Sequence, residues 1–345
     1  MSAARQTMPD AADVSARLAA RMDTLAAQLL PAGRRKGNYW SVGGVDNSPG
    51  KSLFVHVAGG KAGKWQDAAT GEFGDALDLV AACQCRGDLK AAYAWGLDWL
   101  GGTAVMAAAP VQPRESAARA ASDEDEKLRR AALRIWLEGR PSLAGTPAAD
   151  YLRGRGIDLA ALGRQPRALR FHPACWNRER NGPLPALVAA VSGPDGAHIA
   201  THRTWIAPDG QGGWCKAALE DGKKSLGKIM GGCIRIARGA SGKPLADAPP
   251  DEWVVIGEGI ETCLSIAVAV PELRVLCAVS MANLATVVLP PQVRRLILAA
   301  DNDSKPKAQA AFQRVVARLL DAGLDVRVAR ADIGKDFNDT LRAWG

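Results

Sequence analysis

The sequence predicts a multi-domain fold that mixes α/β and α+β parts. A parallel α/β sheet is expected at the C-terminus, a strand-rich domain in the middle, and a small β-module with helices at the N-terminus. Three observations predict this. From residue 252 onward, short apolar runs alternate with helical patterns, as crossover connections between parallel strands require. Residues 166–245 read as successive strands, and Pro194-Asp195-Gly196 supplies a hairpin turn between two of them. Residues 37–80 are rich in glycine and in short apolar runs such as Leu53-Phe54-Val55, the pattern of short antiparallel strands. A chain of 345 residues has room for two or three domains at about 100–200 residues each.

In chain order, residues 10–30 are expected as one helix. Asp10 caps it, and Val14, Leu18, Met22, Leu25 and Leu29 fall near one face. The strands of 37–80 follow, then helices over about 75–85 and 89–100. Residues 102–122 are small, proline-bearing and nearly free of large apolar groups, so a flexible linker is expected there. A helix begins at the acidic run 123–127, where the dipole favours carboxylates. A shorter one covers 147–156. In the C-terminal part, strands are expected at 253–256, 274–279, 295–300 and 326–329, with helices at 260–269, 282–288, 306–322 and 336–343. The expected division is 1–101, linker 102–122, 123–250 and 251–345.

Composition narrows the class. Apolar residues make up 48% and charged residues 23%, a globular balance that excludes a wholly disordered chain. No apolar run approaches the roughly 18 residues that span a bilayer, and the N-terminus has no apolar signal core. A cytoplasmic protein without a membrane partner is therefore expected. The seven cysteines are scattered and read as reduced thiols. The formal net charge of +8 suits a polyanionic partner.

Two acidic motifs fall where a parallel sheet gathers its ligand groups, just past the carboxyl ends of strands. Glu258 follows one strand in Gly257-Glu258-Gly259, and Asp301 and Asp303 follow another in Asp301-Asn302-Asp303. Three carboxylates brought together repel unless a cation lies between them. Oxygen ligands suit a hard ion, so Mg²⁺ or Mn²⁺ is the expected guest. Gly257 and Gly259 would leave backbone room for a phosphate.

Basic residues cluster ahead of these acids: His202, Arg203, Lys216, Lys223, Lys224, Lys228, Arg235 and Arg238. Of these, Arg203, Lys216, Lys224, Lys228 and Arg235, together with Lys335, are the candidate phosphate contacts. Arg34, Arg35 and Lys36 form a second patch beside Tyr39 and Trp40, where an aromatic could stack on an unpaired base. No Walker-type loop is present, since Val45 stands where its first glycine would fall before Lys51, so a helicase motor would have to come from a separate protein.

The strand-Glu-Gly and strand-Asp-x-Asp pattern of residues 252–344 resembles the Toprim domain shared by bacterial-type DNA primases, topoisomerases and some nucleases. The resemblance implies that Glu258, Asp301 and Asp303 are catalytic and collect the Mg²⁺. The string Gly334-Lys335-Asp336-Phe337-Asn338-Asp339 is similar to one near the end of primase-like members, which makes Asp336 and Asp339 secondary metal candidates. Both could equally cap the last helix. Residues 31–82 look like the zinc-binding domain at the front of bacterial primases, and residues 147–245 like the region that precedes Toprim in phage and plasmid primases. The front end departs from its relatives: Tyr39, Trp40, Asp67 and Thr70 stand at the zinc-ligand positions. His56 is the only Cys or His in 37–80, so no structural zinc is expected.

The resemblance implies a primase-like nucleotidyltransferase that makes short primers on single-stranded DNA from nucleoside triphosphates, for a phage, plasmid or other mobile element. A Toprim-type nuclease and a non-catalytic DNA-binding accessory protein are the alternatives. A topoisomerase would need a catalytic tyrosine, and Tyr39, Tyr93 and Tyr151 lie in no stretch that resembles its fold.

Overall fold

The computed structural model describes residues 9–101 and 114–344. The chain divides into two compact units, Met1–Glu124 and Asp125–Gly345. Among the described residues, no helix is long and apolar enough to cross a membrane.

The first unit opens with two helices where one was expected, Ala11–Ala20 and Met22–Leu29. The break lies at Arg21, whose φ of −116° and ψ of 26° are not helical. Asp10 caps the first helix, accepting from the Asp13 N–H at 2.8 Å. Five short strands follow in a meander: β1 (Arg34–Lys36), β2 (Tyr39–Val42), β3 (Leu53–His56), β4 (Trp65–Asp67) and β5 (Phe73–Gly74). Helices Ala76–Gln84 and Leu89–Trp99 complete the unit, with Asp75 and Asp88 as their caps. Leu18, Met22, Leu25, Val55, Trp65 and Leu79 form its buried core.

Asp67 and Thr70 help close the turn between β4 and β5. The Asp67 carboxylate accepts from the Ala69 N–H at 2.9 Å, and the Thr70 hydroxyl donates to Glu72 at 2.9 Å. Trp40 is less available than expected, because its indole N–H is committed to the Leu30 carbonyl at 2.9 Å. The aromatic rings that stay exposed on this sheet are Tyr39, Phe54 and Phe73.

The helix expected from residue 123 begins earlier and runs over Arg114–Glu138. Its first residues, Arg114-Glu-Ser-Ala-Ala-Arg-Ala-Ala, belong to the stretch expected as linker. Alanine, arginine and glutamate are strong helix formers, and that propensity outweighs the lack of apolar groups. The rest of the expected linker, 102–113, lies outside the described residues.

The second unit has two sheets. The first is antiparallel and contains β6 (Leu169–Asn177), β7 (Gly182–Ser192), β8 (His198–Pro208), β9 (Trp214–Lys216) and β10 (Lys223–Gly227). Its order is β10-β8-β7-β6, with β9 also paired to β8. The hairpin of β7 and β8 turns at Gly196, whose φ is +85°. Trp205 and Val188 lie on the face covered by Ile135 and Trp136 of the long helix.

The second sheet contains β11 (Ile234–Arg238), β12 (Trp253–Gly257), β13 (Arg274–Cys277), β14 (Arg295–Ala300) and β15 (Asp325–Arg330), ordered β11-β13-β12-β14-β15. Four strands are parallel, and β11 pairs antiparallel with β13 at one edge. Sequence reading grouped β11 with the strands before it, because a lone apolar strand does not announce its sheet. Helix Ile260–Ala269 lies within one continuous core with residues of both sheets: Ala200 and Ile206 of β8, Ile260, Cys263 and Leu264 of the helix, and Val255 and Val275 of the parallel sheet. Phe312 and Val315 of helix Pro306–Asp321 cover the other face. Helix Pro147–Gly154 precedes the first sheet, and helices Met281–Leu284 and Phe337–Trp344 follow β13 and β15.

Candidate functional site

The parallel strands end in the loops that carry the acids. Glu258 follows β12 directly, and Asp301 follows β14. Both carboxyls have pKa values above the ordinary range. For Glu258 burial is the main cause and the neighbouring Asp301 adds to it, against Lys223, Lys335 and the Met281 backbone N–H. For Asp301 burial again leads, followed by Asp336 and, more weakly, Asp303, with Lys335 and Lys223 opposing. Glu258, Asp301, Asp303 and Asp336 therefore share one electrostatic environment at the carboxyl edge of the sheet. Among the described residues, however, no three Asp, Glu, His or Cys side chains converge closely enough to form a ready-made metal cage. Glu258 and Asp301 share the carboxyl edge of the sheet, with Asp303 and Asp336 in the same field.

Two further acids serve the backbone. Asp336 caps helix Phe337–Trp344, its carboxylate accepting from the N–H groups of Asn338 at 2.9 Å and Asp339 at 3.1 Å. Asp339 accepts from the Lys335 N–H at 2.8 Å. Capping is thus the visible role of both. Asp336 keeps an electrostatic hold on Asp301. Asp303 accepts from the Lys305 N–H at 3.0 Å at the start of helix Pro306–Asp321.

Asn302 joins the two acidic loops and was not singled out in sequence. Its N–H donates to the Lys335 carbonyl at 2.7 Å, and its amide donates to Ala331 and Gly334 carbonyls at 2.8 and 3.1 Å. Gly334 permits this approach: its φ is +74°, and a Cβ there would lie 2.4 Å from the Asp339 Cβ. Gly257 has a different role from the one expected. A Cβ on it would lie 2.8 Å from the Cys263 sulfur, so its smallness lets helix Ile260–Ala269 pack on β12. Val279, just past β13, is held at φ +73°. Such a conformation costs a β-branched residue about 1–3 kcal/mol. The turn that contains it leads into Met281, whose N–H meets the Glu258 carboxylate.

The basic residues divide by strand alternation. Cross-strand partners share a face, and Lys223 pairs with Thr204 while Lys224 pairs with Arg203. Thr204 faces the core, so Lys223 lies on the side of the acids, where it acts on Glu258 and Asp301. Lys216, opposite Ile206, lies on the same side and faces Glu261 and Asp336. Lys224 and Arg203, expected at the site, belong to the other face of the sheet. Arg203 lies 5.0 Å from the Trp205 ring and donates to the Lys224 carbonyl at 3.3 Å. Arg235 lies on β11 and donates to the Gly193 carbonyl at 3.2 Å. Lys228 is exposed just past β10. His202 is no cation: burial and then Lys223 push its pKa down to about 3. Arg34, Arg35 and Lys36 are exposed on β1 in the first unit, where Arg35 pairs with Asp23 at 2.7 Å.

Lys223 was present in the charge cluster but absent from the favoured contacts. The period-two pattern around it could have selected it over Lys224. Glu261 was also missed. It stands in the first turn of helix Ile260–Ala269 and accepts a hydrogen bond from the Tyr151 hydroxyl at 2.7 Å. Burial raises its pKa, but Tyr151, Lys216 and Lys223 outweigh burial and leave it below the ordinary value. Tyr151→Phe is expected to destabilise the protein by about 1.5–3 kcal/mol at neutral pH, the worth of a hydrogen bond to a charged group. Because the folded pKa of Glu261 is lowered, its stabilisation is present above the unfolded value of about 4.3 and is lost as pH falls through the folded one. Denaturant titrations at pH 7 and pH 4 should show the difference between wild type and variant shrinking on acidification.

A family model described as "Toprim domain" matches residues 253–345. A second, "Domain of unknown function (DUF7146)", matches residues 126–236. No curated protein matches the chain. Among solved structures, the chain is similar to the Aquifex aeolicus primase (zinc binding and RNA polymerase domains). That match has 15% identity and a TM-score of 0.42, and covers 98% of this chain and 83% of the other. The DnaG primase catalytic domain bound to ssDNA matches at 14% identity and a TM-score of 0.44, covering 65% of this chain and 77% of that one. The primase fragment of the bacteriophage T7 primase-helicase protein matches at 15% identity and a TM-score of 0.37, covering 56% and 69%. At such scores these likenesses describe general architecture and carry nothing further. The family match, and the acids at the carboxyl edge of a mostly parallel five-stranded sheet, agree that the chain carries a C-terminal Toprim domain.

Proposed function

We propose that the protein is a primase-like nucleotidyltransferase, which makes short primers on single-stranded DNA from nucleoside triphosphates in the service of a phage, plasmid or other mobile element. One observation carries this reading: Glu258 and Asp301 stand together at the carboxyl edge of the Toprim sheet and face Lys223 and Lys335. Acids alone would suit a cation, and lysines alone a phosphate. The two together suit a metal-bound polyphosphate.

The donor set fits Mg²⁺ or Mn²⁺. Its carboxylates are hard oxygen ligands, and burial first and neighbouring acids second raise the pKa values of Glu258 and Asp301, a cost that a divalent cation would relieve. Glu258, Asp301 and Asp303 would hold the ion, with Asp336 as a secondary group. When bound, the ion supplies Lewis-acid stabilisation of charge on a transferring phosphoryl group. The chain's own residues do the rest. Lys223 and Lys335 would meet phosphate oxygens, and Lys216 would extend the positive rim toward the template. Asn302 keeps the Asp301-Asn302-Asp303 loop tied to the Lys335 loop, so that acids and lysine keep their spacing. Glu258, with its raised pKa, is placed to accept a proton from an attacking hydroxyl. The exposed cations of β1 would help choose the template, and a separate helicase would supply unwound DNA.

The test is de novo synthesis by the full chain on single-stranded DNA with labelled ribonucleotides and Mg²⁺. Labelled short products are expected. They should fall sharply with Lys223→Ala and stay near the wild-type level with Lys224→Ala. Absence of product from the wild type overturns the proposal, and DNA nicking without added nucleotides would replace it with a nuclease.

A further inference from the structure

The second unit contains a cavity of about 620 Å³ that the acidic site does not use. It opens at the start of β13 and beside β11, whereas the acids stand past the carboxyl ends of the parallel strands. Five arginines line it, Arg164, Arg167, Arg235, Arg238 and Arg274, and no Asp or Glu does. Arg274 has its own carboxylate, Glu252, at 2.9 Å. Among the described residues, the other four have no ion pair.

Several features show that the arginines are gathered rather than scattered. Arg235 and Arg238 are three residues apart, so a regular strand would send them to opposite faces. The register of β11 against β13 shifts between Arg235 and Ala237. That bulge re-aims the strand and brings both side chains to one cavity. Each is anchored by one nitrogen, Arg235 to the Gly193 carbonyl and Arg238 to the Gly242 carbonyl, both at 3.2 Å. Arg235 also meets the Cys233 sulfur, while its Nε has no partner and Arg238 keeps further donors for another acceptor. Arg164 and Arg167 reach the cavity from the loop before β6. Burial first, and then Arg164, Arg167, Arg274 and Arg235, lower the pKa of Arg238. Like charges crowded in this way cost energy unless an anion joins them.

The wall also holds buried polar atoms without partners: the Arg235 Nε, the His198 Nδ1 and the Trp136 Nε1. Such atoms are rare in folded proteins and call for an acceptor or a donor. Apolar groups line it as well, among them Leu162, Ile236, Pro244 and Leu245. The volume lies in the range of about 300–1,000 Å³ typical of small-molecule sites.

We propose that this cavity binds a small organic polyphosphate of nucleotide size, with its phosphates on Arg164, Arg167, Arg235 and Arg238 and its organic part against the apolar groups. Guanidinium forks match phosphate oxygens two at a time, which explains why the cluster is made of arginine and not lysine. The site is separate from the proposed metal site, and its occupancy requires no divalent cation.

Calorimetric titration of the full chain in EDTA tests this, with ATP and inorganic tripolyphosphate as probes. ATP is expected to bind at one site and more tightly than tripolyphosphate. Arg167→Gln combined with Arg238→Gln should weaken ATP by about tenfold or more. Arg164→Gln combined with Arg167→Gln should weaken it as well, and because both residues are exposed, that variant is not at risk of misfolding. Asp301→Asn should leave the binding unchanged. Equal binding of the two probes overturns the role of the apolar groups. No ATP binding, ATP binding that ignores both arginine variants, or ATP binding abolished by Asp301→Asn overturns the proposal. So does an oligonucleotide that binds through these arginines where ATP does not. Failure of primer synthesis leaves these outcomes untouched.

Discussion

Asp301→Asn is expected to lower metal-dependent primer synthesis by on the order of 10²–10³-fold, the usual cost of removing one electrostatic contributor to a transition state. The same variant is expected to be more stable than wild type. The folded pKa of Asp301 lies above its unfolded value, through burial and then through Asp336 and Asp303. For such an acid, stability is fully present below the unfolded pKa and is lost as pH rises through the folded one. At neutral pH the ionised Asp301 therefore costs stability, and asparagine removes that cost while keeping the shape. Primer synthesis and denaturant unfolding at pH 7.5 check the two halves. Mn²⁺ affinity, read by electron paramagnetic resonance, should fall in the variant. Lost activity with lost stability would mean that Asp301 holds the fold and not the ion. Unchanged activity would remove it from the site.

Glu252→Ala is expected to destabilise the protein by about 3–5 kcal/mol, the cost of leaving one partner of a buried ion pair alone. Arg274 is only 1% exposed. Its Nε donates to Glu252 at 2.9 Å, its Nη1 to the Lys243 carbonyl at 3.0 Å and its Nη2 to the Ser241 hydroxyl at 3.1 Å. Ser241 in turn donates to Glu252 at 3.0 Å. The network fastens the chain between β11 and β12 onto the start of β13. Removing the carboxylate leaves a guanidinium that cannot lose its proton and cannot reach water. Glu252→Gln keeps an acceptor and should cost less. Chemical denaturation with a two-state fit measures both. A loss below about 1 kcal/mol for the alanine variant would show that the loop relaxes and hydrates the arginine.

Much of the C-terminal part was legible because its pattern is local. Apolar runs such as Arg295–Ala300 mark strands, and helix Ile260–Ala269 falls where its sequence predicts. The position of Glu258, Asp301 and Asp303 after strands follows from the same reading. The early start of helix Arg114–Glu138 is written in its alanine and arginine content, which outweighs its lack of large apolar groups. The long first helix failed at one residue, Arg21, because nothing in its periodicity marks the break. In the site, Asn302 was hidden for another reason. Its value lies in hydrogen bonds to Ala331, Gly334 and Lys335, about thirty residues downstream.

The sequence by itself determined the class of this protein: a basic chain with three carboxylates after the strands of a C-terminal parallel sheet. Only the tertiary structure decided which cations serve those carboxylates. Lys223 and Lys224 are neighbours in the chain and equal in charge, but a strand turns successive side chains to opposite faces. Pairing with Thr204 sends Lys223 to the acids, and pairing with Arg203 sends Lys224 away. Likewise β11 could join the parallel sheet only once its partner β13 was in place, and its bulge there gathers Arg235 and Arg238 into one cavity. Charge is written along the chain, but the face it occupies depends on a partner strand far away in sequence.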